Sequence, residues 1–132
     1  MADSNDGSGF LYLREGAVLD DKAWDRVVRL PRGLRRKREV LAALAGALSF
    51  PDYFGSNWDA LEECLTDLSW LPERRILIVH GDIPPERARH RATYLEVLRD
   101  AVKSWRKDEQ HTLGVAFPDQ AQRTVESLLA QS

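Results

Sequence analysis

The run RILIVH at residues 75–80 narrows the fold more than any other stretch. Four consecutive aliphatic side chains stand between an arginine and His80-Gly81, leaving no polar residue to face water. A strand of this kind is buried on both faces, which is the environment of a parallel sheet. Parallel neighbours must be joined by crossovers, and helices usually supply them.

The rest of the chain has the pieces. Residues 26–30 (RVVRL) are β-branched at the centre and stop at Pro31, and residues 112–117 (TLGVAF) stop at Pro118, so both read as strands. Residues 10–14 (FLYLR) before Glu15-Gly16 suit a further short strand. Helical spacing predicts helices over 35–48 (Val40, Leu41, Leu44, Leu48), 57–68, 92–107 (Leu95, Leu98, Val102, Trp105) and 119–130, the last with Asp119 as N-cap. Pro51 and Gly55 mark residues 49–55 as a turn. The crossovers are expected to be right-handed.

At 132 residues, 43% hydrophobic and 30% charged, the chain fits one domain over 10–132 behind a disordered polar leader, 1–9. The leader has neither a basic nor an apolar region and does not read as a secretory signal. The longest apolar run, 40–48, is nine residues, against about twenty for a membrane span. Cys64 is the single cysteine, so no internal disulfide forms and a reducing cytoplasm is the expected compartment. A net charge of −2 argues against a dedicated DNA-binding domain.

That small total conceals two opposite poles. Residues 51–72, PDYFGSNWDALEECLTDLSWLP, hold five acids and no lysine or arginine. At about 100° per residue, Trp58, Leu61, Leu65 and Leu68 share one side of a helix, and Asp59, Glu62, Glu63 and Thr66 the other. Asp59 and Glu63, four apart, repel each other by a few tenths of a kcal/mol, and a lysine at 63 would serve the helix better. Two readings compete: a solvated helix face, or an acidic binding surface. Ser56 or Asn57 is the N-cap; with Ser56 there, Asp59 would stand third and close a capping box.

The segment FPDYFGSNWDALEECLTDL resembles the signature of the barstar family, protein inhibitors of barnase-like ribonucleases. The resemblance rests on Tyr53-Phe54-Gly55, Asn57, Asp59-Ala60-Leu61, the acid at 63 and Cys64-Leu65-Thr66, with a looser match over 26–117. It implies an α/β fold with a small three-stranded parallel sheet flanked by helices, plus an added C-terminal helix and N-terminal extension. It implies a non-catalytic inhibitor or immunity protein that plugs the active site of a ribonuclease-like toxin, one-to-one, without touching nucleic acid or membrane. The partner-binding set carried over is Tyr53, Phe54, Gly55, Asn57, Asp59, Glu62, Glu63, Thr66, Asp67 and Asp100. Asp59 and Glu63 match the principal acids, Tyr53 an aromatic contact at the helix entry, and Asp100, in LEVLRDA, an acid of the last crossover helix. Glu62 and Leu68 stand where barstar has tryptophans; Trp58 and Trp70 compensate in packing, not at the same surface points.

Other chemistry is thinner. No metal-ligand or phosphate-loop motif occurs, so neither metal nor cofactor is expected. Cys64 flanks the apolar side as a half-buried packing residue with no histidine nearby in sequence. His80-Gly81-Asp82 follows a strand, where α/β proteins bind ligands, and equally reads as a plain strand-end turn. Residues 29–38 (RLPRGLRRKR) carry six bases and no acid. They read as a solvated first helical turn or, in the alternative function, an RNA-binding module using Arg32, Arg35, Arg36 and Arg38.

Overall fold

A computed structural model describes residues 8–19, 22–51, 55–108 and 111–130. In chain order the elements are β1 (Leu11–Leu13), β2 (Arg26–Arg29), α1 (Lys37–Ala47), α2 (Trp58–Asp67), β3 (Arg75–Val79), α3 (Ala88–Asp108), β4 (Thr112–Pro118) and α4 (Gln122–Ala130). The strands form one all-parallel sheet of order β1-β4-β3-β2. The sheet therefore has four strands and not the expected three. The added strand is LYL of the N-terminal extension, paired Leu11 to Ala116 through Leu13 to Pro118. An exposed β4 edge would otherwise offer unpaired backbone groups, and β1 covers it.

The central strands show why RILIVH is apolar throughout. Ile76 and Ile78 point into the main core, with Val40, Leu44, Leu61, Leu65, Tyr94, Leu98 and Val125 from all four helices. Leu77 and Val79 point the other way and pack with Ala116, Leu11, Leu13, Val27, Leu19 and Trp24. The helices thus cover one face, while Leu19 and Trp24 of the β1–β2 connection lie on the other. That connection crosses the sheet in the opposite direction to the helical crossovers and on the opposite face. It therefore has the same hand as they do, in keeping with the rule for parallel strands.

Several ends differ from the sequence pattern. The α3 helix starts at Ala88 rather than 92: Arg91 N–H bonds Arg87 O at 2.9 Å and its side chain bonds Pro85 O at 2.7 Å, which ties an arginine-rich first turn to the preceding loop. Asp119 is not an N-cap; residues Asp119–Ala121 form a 3₁₀ turn before α4. The leader expected over 1–9 lies outside the described residues up to Gly7; Ser8 is buried, and its hydroxyl accepts the Phe10 N–H at 3.0 Å. No described helix is long and apolar enough to cross a membrane.

Candidate functional site

The acidic segment folds as the pattern requires. Ser56 takes a left-handed backbone (φ 55°), Asn57 returns to an extended one, and its side-chain oxygen accepts the Ala60 N–H at 2.7 Å. Asn57 is therefore the N-cap, and Asp59 stands second in α2 rather than third. The capping box through Ser56 does not form, and the Asp59 carboxylate is left facing outward. At the other end Leu68, left-handed and buried, returns its N–H to Cys64 O.

Leu61, Cys64 and Leu65 are buried, whereas Gly55, Asn57, Asp59, Glu62, Glu63 and Asp67 are exposed. Among the described residues no ion pair engages Asp59, Glu62 or Glu63. Thr66 is half-buried, and its hydroxyl folds back on its own helix, donating to Glu62 O at 2.8 Å and standing 3.2 Å from Glu63 O. Asp100 is exposed on α3, the helix α2 packs against, and accepts from its neighbour Arg99 at 3.3 Å. The expected contacts Tyr53 and Phe54 lie outside the described residues. Cys64 is buried and not half-buried; burial, then Asp67 and Glu63, push its thiol pKa up, opposite to what a nucleophile needs. Among the described residues no group of three His, Cys, Asp or Glu could hold a metal ion.

Beneath the first turn of α2 runs a polar chain that the sequence did not announce. Trp58 stacks on Tyr94 with ring centres 5.7 Å apart. The Tyr94 hydroxyl is 2.6 Å from His80 Nε2, and His80 Nδ1 is 3.0 Å from Ala116 O. A carbonyl only accepts, so Nδ1 carries the proton and Nε2 accepts from the tyrosine. Burial drives the His80 pKa down to about 4, which keeps the ring neutral, and raises that of Tyr94. His80 is thus a structural hub joining β3, β4 and α3. The signal in the sequence was a histidine closing an otherwise aliphatic strand.

The basic pole separates into two. Arg35, Arg36 and Lys37 line a groove of about 900 Å³ with Glu39, Glu86, Arg87 and His90. Arg35 pairs with Glu86 at 2.8 Å, and Glu39 accepts the backbone N–H groups of Arg35 and Arg36 at 3.0 and 2.8 Å. Those bonds hold both carboxyl pKa values below the usual range. Arg29 and Arg32 instead face the ends of the strands.

The model of the family described as Barstar (barnase inhibitor) matches residues 26–117. The chain belongs to the barstar family. The match takes in the acidic positions Asp59, Glu62, Glu63, Asp67 and Asp100 and the hub at His80. It leaves β1, the 3₁₀ turn and α4 as additions to the barstar core. Comparison with curated proteins found no match. Relative to the barstar pattern, Leu68 is fully buried and so packs rather than contacts, while Glu62 is exposed. Trp70 is spent internally, donating to Leu48 O at 2.9 Å.

Proposed function

We propose that this barstar-family protein inhibits a ribonuclease of the barnase type by setting α2 into the catalytic cleft. The observation that carries the reading is the set of exposed acids Asp59, Glu62 and Glu63, which make no ion pair within the described fold and stand on a helix fixed at both ends. A ribonuclease cleft is lined by bases that hold phosphate. Carboxylates on a preorganised helix can take the phosphate positions, and charge-assisted bonds to arginine are the strong kind. Opposite fields also speed the encounter. The complex is one-to-one, with the inhibitor contributing no catalytic group. Its reduced, buried cysteine suits a reducing cytoplasm.

The test is inhibition of a small basic ribonuclease by purified protein, with Asp59→Ala and Glu63→Ala. Each is expected to weaken the complex by about 2–5 kcal/mol, the scale of the barnase–barstar pair itself, carried over by the family relationship. Two variants that inhibit like the unaltered chain would overturn the site.

A further inference from the structure

The C-terminal ends of all four strands open into one cavity of about 600 Å³, none of whose lining residues belongs to α2. Its lining comes from the exit of β1 (Leu13, Arg14), of β2 (Arg29, Arg32), of β3 (Val79 to Gly81) and of β4 (Pro118 to Gln120). Two of these four exits lie outside the residues matched by the barstar family, so the cavity is completed by what this chain adds. Its place is physically telling. β1 leaves toward the face covered by Leu19 and Trp24, and its neighbour β4 leaves toward the helical face. Adjacent strands departing to opposite faces open a crevice, and in parallel sheets ligands bind there.

The walls are held in place. Ala17 N–H bonds Arg14 O at 3.0 Å, closing a turn whose Gly16 has φ 77°, a conformation suited to glycine. Gly33, also at positive φ, donates its N–H to Asp82 at 2.9 Å, which fixes the turn bearing Arg32 to the exit of β3. Arg32 lies across Gly81 so closely that a methyl group there would stand 2.8 Å from its Cγ and Nε. Arg14, Arg29 and Arg32 make no ion pair among the described residues. Leu13, Leu19, Val79 and Pro118 supply an apolar wall beside them.

We propose that this cavity binds a small phosphomonoester with a hydroxylated organic body, of mononucleotide type. Three guanidinium groups from two segments, the exits of β1 and β2, suit a dianion with three oxygens better than a single carboxylate, which one arginine can satisfy. The apolar wall takes the body, and Glu15 and Asp119 at the rim accept from its hydroxyls. Both ring nitrogens of His80 are already bonded, so His80 forms part of the wall and offers the ligand no free ring nitrogen.

Titration of the full chain by calorimetry and amide NMR tests this, using adenosine 5′-monophosphate, ribose 5-phosphate, inorganic phosphate and adenosine as probes. The two phosphomonoesters are expected to bind and to move the Gly16 and Gly81 resonances. An Arg29→Gln/Arg32→Gln variant, at exposed positions, should bind them at least tenfold more weakly with an unchanged melting temperature. An Arg36→Gln/Arg87→Gln variant in the separate basic groove should bind as before. Adenosine binding as well as its monophosphate, equal loss in both double variants, or no binding by any phosphomonoester at millimolar concentration would each overturn the proposal. Because the readout needs no nuclease, its failure leaves the inhibitor reading standing, and the converse holds.

Discussion

The indole N–H of Trp105 on α3 donates to the backbone carbonyl of Leu65 on α2, 2.6 Å away, at a buried contact. The last turn of α2 has no base to satisfy its free carbonyls. A side chain forty residues further along does so instead, and this locks the acidic helix to its neighbour. Trp70 does the same for α1, donating to Leu48 O.

Trp105→Phe keeps most of the apolar area and leaves the Leu65 carbonyl without its donor. The expected loss is about 1–3 kcal/mol. Urea unfolding measures it, and a variant as stable as the unaltered chain would show the bond to be incidental.

The His80 ring provides a pH signature. Its pKa is about 4 when folded against an ordinary 6.5, so between those values the unfolded chain binds the extra proton. Stability therefore rises with pH through this window, is complete above 6.5 and falls away toward 4. The difference corresponds to about 3 kcal/mol. Asp25, held down to about 2 by its bonds to Arg75, takes up its proton below the window. Glu39 and Glu86, held below 4.5, add to the slope only at the lower end of the window; unfolding free energies measured at stepped pH above that end should show the His80 slope, and His80→Gln should flatten it there. A glutamine variant with the full slope would place the proton uptake elsewhere.

Glu63 separates stability from function. Replacing it with lysine removes the repulsion with Asp59, creates an acid-before-base pair four residues apart, and places a cation near the negative end of α2. Glu63→Lys should stabilise the fold by roughly 0.5–1 kcal/mol. The same change sets a positive charge against a basic cleft, so nuclease inhibition should fall by more than about 30-fold. Melting and inhibition assays on one preparation check both; a variant that inhibits normally would show that α2 does not face the nuclease.

What was legible in the sequence was what local chemistry decides. RILIVH was readable because its burial on both faces leaves a periodicity-free apolar run. The acidic helix was readable because its cap, its buried leucines and its outward acids lie within about three turns of one another. The fourth strand was harder to count. LYL is only three residues, and its state depends on a free edge of β4 more than a hundred residues away. The same applies to His80 and Tyr94, which meet because α3 packs across the end of β3. The basic run 29–38 looked like one patch, and only the turn at Gly33 sends its two halves to separate cavities.

Gly114 illustrates such a long-range constraint and gives a test of it. It lies within β4, where glycine is intrinsically unfavourable, yet a methyl group at its position would overlap the six-membered ring of Trp24. The ring sits against the sheet face that no helix covers, together with Leu77 and Ala116. Gly114→Ala should therefore destabilise the chain by about 1–3 kcal/mol through overpacking, against the usual preference of a strand for alanine. In a Trp24→Ala background the obstacle is gone, and the same substitution should be neutral or mildly stabilising. The double-mutant cycle isolates the contact, since the two positions share it directly. A Gly114→Ala effect that is the same with and without Trp24 would mean that the indole does not rest on this strand.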